Sequence, residues 1–120
     1  MPDVRSAAVA GMFYPAAPAA LAADVRAYLA GAHTRFPPTA AAPKALIAPH
    51  AGYVYSGPIA ASVYARLAAG RETIRRVVLL GPTHRVPVRG LALPSARAFA
   101  TPLGTVAVDR EAAADCGGRE

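Results

Sequence analysis

The chain has 120 residues, 54% of them hydrophobic, and a net charge of +6 carried mainly by twelve arginines beside the single Lys44. That length allows one domain with a modest core, and alanine supplies much of the apolar fraction, so apolar volume per residue is low. The basic residues are scattered, Arg75-Arg76 being the only adjacent pair. The +6 charge allows a nucleic-acid reading, but no helix-turn-helix, zinc-finger spacing or aromatic-basic platform accompanies it, so nucleic-acid binding is only a minor alternative.

In chain order, Ala7 to Tyr14 reads as extended, and Pro18 to Ala30 as a helix with Leu21, Val25 and Leu29 on its inner stripe. Gly31 closes that helix. His33 to Pro43, with Pro37-Pro38 and an alanine run, reads as a loop, which makes His33 a poor ligand candidate. Ala45-Leu46-Ile47-Ala48 and Val77-Val78-Leu79-Leu80 are charge-free and bounded by Pro or Gly, so both read as strands buried on two faces. Between them, Pro58 to Ala69 carries Ile59, Val63 and Leu67 at i, i+4 and i+8, one apolar helix face ended by Gly70. Pro58 suits the first helical position, with Ser56 or Gly57 as N-cap. Strand, helix and strand then form a right-handed βαβ unit in a mostly parallel sheet with flanking helices, an α/β fold. Further on, extended pieces at Leu91-Ala92-Leu93 and Thr105 to Val108 bracket a Thr101-Pro102-Leu103-Gly104 turn. Glu111 to Asp115 starts a short helix, and Gly117 to Glu120 reads as a frayed end.

Each expected strand is followed by a histidine, His50 after the first run and His84 after the second. The carboxyl ends of neighbouring parallel strands lie side by side, so the two imidazoles converge on one point, a geometry that suits a divalent metal. Imidazole is the commonest ligand for iron, zinc and copper. The amino terminus of the intervening helix points its unpaired amides at the same crevice, where an anionic group is stabilised. A single histidine after a strand is more often a hydrogen-bonded loop residue; the matched placement of two is what favours a shared metal.

The stretch Ala45-Leu46-Ile47-Ala48-Pro49-His50-Ala51-Gly52-Tyr53-Val54-Tyr55-Ser56-Gly57 resembles the signature of the Memo-like proteins, known in prokaryotes as AmmeMemoRadiSam system protein B. Val9-Ala10-Gly11-Met12-Phe13-Tyr14-Pro15, Leu80-Gly81-Pro82-Thr83-His84 and Thr101-Pro102-Leu103-Gly104 with Asp109 match in order. The resemblance covers about residues 5 to 109 of a single domain spanning 1–120, leaving 110–120 as a tail. It corresponds to the amino-terminal part of a longer family domain, so the domain is expected to be incomplete at its carboxyl end. The family is similar in fold to the class III extradiol dioxygenases, which hold non-haem iron with two histidines and a carboxylate. The resemblance therefore implies a metal-binding protein, with His50 and His84 as metal-site residues, and a dioxygenase-like oxidoreductase activity. A third ligand comes from the carboxyl-terminal half of the family domain. Cys116-Gly117 is not carried over as that ligand, because it follows Asp109 too closely; an exposed tail thiol is expected instead.

Around the expected metal, Tyr53 is a catalytic candidate, and Tyr55, Ser56 and Arg85 are candidates to bind substrate. Alternate residues of an extended stretch share a side, which would place Tyr53 and Tyr55 together. Thr83 is placed to orient His84. Packing, N-capping and solvation are the competing roles of Tyr53, Ser56 and Arg85. Two alternatives to an enzyme stay open: a non-catalytic protein using the same cleft for a small molecule or peptide, and an inactive fragment. A sheet cut after its first strands leaves an edge and an apolar face uncovered, which also predicts homo-oligomers or poor solubility.

One cysteine fits a reducing, cytoplasmic location. The uncharged stretch from Ser6 to Ala23 is interrupted by Gly11, Pro15 and Pro18 and overlaps a matched motif, which argues against a secretory signal. Ala45 to Ala65 is also charge-free, but Pro49, Gly52, Gly57 and Pro58 break any membrane helix there.

Overall fold

The structure, a computed structural model, describes residues 3–37 and 41–117. Its elements are β1 (Val4–Arg5), α1 (Pro18–Arg35), α2 (Tyr53–Tyr64), a 3₁₀ helix (Ala65–Gly70), β2 (Ala98–Thr101), β3 (Gly104–Ala107) and α3 (Arg110–Asp115). The chain is α/β and divides into two units, one of Val9–Val77 and one of Met1–Ala8 with Val78–Glu120.

In the Val9–Val77 unit, α1 and α2 pack on each other. Pro18 opens α1, where its missing amide costs nothing. The helix runs through Gly31 to Arg35, so His33 lies in its last turn rather than in a loop. A mid-helix glycine costs about 1 kcal/mol, but Ala32 beyond it is buried in the core, and His33 and Arg35 favour the negative end of the helix dipole. The expected inner stripe faces inward: Leu21 is buried, and Val25 and Leu29 are half-buried, Leu29 against the core. Residues 38–40 of the expected loop lie outside the described residues.

Helix α2 begins five residues before Pro58, with Gly52 as its N-cap, so neither Ser56 nor Gly57 caps it. Pro58 lacks the amide that would bond the Val54 carbonyl, and Val54 is exposed, so water can serve that carbonyl instead. The buried face is also not the expected one. Ile59 is 62% exposed, whereas Gly57, Ala61 and Ala65, also at i, i+4 and i+8, are buried with Ala32 and flanked by Tyr28 and Leu29. Small residues win because they let two helix backbones approach closely, and the contact is tight. A Cβ at Gly57 would lie 2.7 Å from the Tyr28 ring.

The other unit holds a three-stranded mixed sheet in the order β1-β2-β3. β1 pairs with β2 in parallel, and β2 with β3 antiparallel. The Thr101-Pro102-Leu103-Gly104 turn is as expected, but its incoming strand is Ala98–Thr101 rather than Leu91–Leu93. A two-residue loop can only join strands that abut it. Thr101 closes the turn by donating its hydroxyl to the Gly104 carbonyl at 2.9 Å and accepting from the Leu103 amide at 3.1 Å. Gly104 has φ 135°, a conformation that suits glycine. Asp109 caps α3, its carboxylate accepting from the Ala112 amide at 3.0 Å.

The two apolar runs expected as parallel strands are not strands. Ala45–Ala48 and Val77–Leu80 are unpaired coil, so the expected βαβ unit is not formed and the described sheet is mixed rather than mostly parallel. A strand of this composition is stable only with a layer on both faces, and α1 and α2 spend their small-residue faces on each other. The expected extended stretch at Ala7–Tyr14 is instead mostly a turn, with Gly11 at φ 84° and the Met12 and Phe13 amides both donating to the Val9 carbonyl. The expected frayed end at 118–120 lies outside the described residues. Among the described residues, no helix is long and apolar enough to cross a membrane.

Two glycine substitutions should move stability in opposite directions. Nothing lies within 4 Å of a Cβ at Gly31, so Gly31→Ala should stabilise the chain by about 0.5–1 kcal/mol. Gly57→Ala should destabilise it by about 1 kcal/mol, the ring clash outweighing the same propensity gain. Urea midpoints of the two variants provide the comparison.

Candidate functional site

His50 sits at the end of the first apolar run, three residues before α2, in a short segment fastened on both sides. The Ala51 amide donates to the Ser56 hydroxyl at 2.9 Å, so the first turn of α2 reaches back to hold the residue next to His50. The Tyr53 amide donates to the Phe13 carbonyl at 2.8 Å, tying the helix start to the Gly11–Tyr14 turn. Ser56 is buried, and its hydroxyl accepts this bond. It therefore braces the histidine loop.

These bonds revise the expected anion hole. The Tyr55 and Ser56 amides both donate to the Gly52 carbonyl at 2.9 Å, and the Tyr53 amide is taken by Phe13. With the Tyr53, Tyr55 and Ser56 amides engaged, fewer donors of the first turn are left for an anion.

Tyr53 is half-buried in a cluster of phenols. Its ring lies 5.5 Å from that of Tyr14 and 6.3 Å from that of Tyr28, the latter edge-on. Burial raises the Tyr53 phenol above its ordinary value, and Tyr14, Tyr64 and Tyr28 push the same way. At neutral pH this phenol is a hydrogen-bond donor, not a base. Tyr55 does not share its side. Because α2 already starts at Tyr53, residues two apart diverge, and Tyr55 is 82% exposed.

His84 and Arg85 belong to the other unit, in exposed coil with Thr83. Among the described residues, no three His, Cys, Asp or Glu side chains gather as a metal set. Cys116 is exposed at the end of α3, as expected of a tail thiol. The residues that sequence reasoning left without a role are Phe13, Tyr14 and Tyr28. Phe13 and Tyr14 lie inside the matched Val9–Pro15 motif, so the signal was present, but nothing in the sequence says that this motif packs under the start of α2.

With this geometry in place, comparison with known proteins is decisive. The profile of the family described as Memo-like protein matches residues 5–116. The chain belongs to the Memo-like family. Protein MEMO1 of Danio rerio is 38% identical over 111 residues, which are 92% of this chain and 35% of that protein. A MEMO1 family protein of Aquifex aeolicus is 41% identical over 108 residues, 90% of this chain and 38% of its own length. Human Protein MEMO1 is 36% identical over 107 residues, 89% of this chain and 34% of that protein. The Memo-like chain thus spans little more than a third of these curated relatives, and it matches their amino-terminal region.

Two measurements test the brace and the phenol cluster. Ser56→Ala leaves the Ala51 amide without its acceptor and should cost about 1 kcal/mol, with faster hydrogen exchange at Ala51 before any change in α1. The raised Tyr53 phenol means that the folded state holds its proton more tightly than the unfolded chain does. The stability it contributes is complete below the ordinary tyrosine value of about 10 and is lost as pH rises through the folded value. Urea midpoints from pH 8 to 11 should fall at the alkaline end, and fall less steeply in Tyr53→Phe.

Proposed function

We propose that His50 and His84 of this Memo-like chain are metal-site residues for a divalent ion, iron, zinc or copper, of a dioxygenase-like oxidoreductase. The observation that carries the reading is the bracing of the His50 loop by Ser56 and Phe13, because a ligand held in place by its neighbours loses less freedom on binding. Two exposed imidazoles are a donor set that fits these borderline metals. They are fewer than a complete set, so further ligands come from elsewhere and affinity in this chain is weak.

When bound, the metal supplies Lewis acidity and open positions for a substrate and oxygen. The chain's own residues orient and screen. Ser56 holds the backbone beside His50, and the protonated Tyr53 donates a hydrogen bond to an anionic substrate oxygen. Arg85 adds an exposed positive charge next to His84, which attracts an anionic substrate. A single exposed cysteine fits a reducing, cytoplasmic setting for such a metal.

Metal content and titration with Zn²⁺ or Fe²⁺ test this directly. Each of His50→Ala and His84→Ala should weaken binding by more than the roughly 10- to 100-fold that loss of an outer-shell partner costs. Equal metal content in both variants and the parent would leave a non-catalytic binding protein as the better reading.

A further inference from the structure

Helices α1 and α2 leave a groove of about 400 Å³ beside their contact, walled by Tyr28, Gly31, Arg35 and Phe36 on one side and by Pro58 and Ile59 on the other. That volume suits a small organic molecule. The walls are mostly apolar and open to water, Ile59 being 62% and Phe36 43% exposed. The groove lies within the Val9–Val77 unit, and neither histidine of the metal reading lines it.

Gly31 keeps this space open. It stands inside α1, where glycine costs stability relative to alanine, and its φ is not positive, so no backbone conformation demands it. Nothing lies within 4 Å of a Cβ built there, so no packing contact demands it either. A larger side chain at this position would instead take up room in the groove.

The wall also carries a charge. The Arg35 guanidinium carbon lies 5.6 Å from the centre of the Phe36 ring, and among the described residues no carboxylate pairs with it. Contact with a ring face leaves the planar N–H fork of a guanidinium free to hold a carboxylate through two parallel bonds. The Ser62 hydroxyl is already engaged, donating to the Ile59 carbonyl at 2.6 Å, so the groove offers more to an anion than to a neutral polar group. We infer that this groove binds a small aromatic carboxylate, its ring lying on Ile59 and Phe36 and its carboxylate on Arg35.

Naphthoate is titrated into the full chain while the amide NMR shifts of α1 and α2 are followed. It should bind with a dissociation constant on the order of 1 mM, as expected of a ligand of this size in an open site. Naphthamide, which keeps the rings and lacks the charge, should bind about tenfold more weakly or worse. Arg35→Gln should lower naphthoate to the level of the amide, whereas Arg26→Gln, an exposed cation of the same helix outside the groove, should change neither ligand. Gly31→Leu should abolish binding of both, with a urea midpoint no lower than the parent's showing that the chain is folded. Ile59→Ser, at an exposed position, should weaken both severalfold. The inference is overturned by no shift at about 10 mM naphthoate, by equal binding of acid and amide, or by binding that survives both Gly31→Leu and Ile59→Ser.

Discussion

The close contact of α1 with α2 governs much of the Val9–Val77 unit. Gly57, Ala61 and Ala65 put almost no side chain between the helices, so the Tyr28 ring lies where a Cβ at Gly57 would stand. That contact selects which face of α2 is buried and how far toward its amino end the helix is supported. With Tyr28 also edge-on to Tyr53, the first turn of α2 is held, and Ser56 falls within reach of Ala51. The His50 segment is therefore placed by helix packing rather than by a strand leading into it.

The same constraint explains what the sequence made legible. Helix α1, a helix near Pro58 ending at Gly70, the Thr101–Gly104 turn and the helix after Asp109 all follow from local signals that the structure keeps. Pro18 at the start of α1 and Gly104 in its turn act within a few residues and keep their expected roles, whereas Pro58 lies inside α2 rather than at its start. The buried face of α2 was a different matter. Two faces of that helix have the same i, i+4, i+8 spacing, and periodicity ranks the bulky Ile59 face first. Packing ranks them by how near the backbones can come, a property of both helices that no single segment displays.

Of the candidate site, the histidine next to a helix start was readable, and so was the matched motif around it. The direction of each tyrosine was not. An extended reading sets Tyr53 and Tyr55 on one side, while the helix separates them, and that difference rests on where α2 begins. The role of Phe13 was equally hidden, because the bond it makes is through its carbonyl and leaves no mark on side-chain identity.

The unformed strands follow from the energetics of cover. Ordering the backbone of one residue costs about 1–2 kcal/mol, and fixing a leucine or isoleucine side chain about 0.5–1 more. Complete burial of such a side chain returns about 1.5–3 kcal/mol, so the balance is near zero even at full cover and unfavourable at half cover. Ladder hydrogen bonds and a second layer must tip it. Val77–Leu80 has neither, and Ile47 in the other run is 94% exposed. Composition therefore reports what these runs are suited to become, while their conformation reports what surrounds them. A strand signal without a covering layer therefore stays unrealised, which is why the two expected strands are coil in this chain.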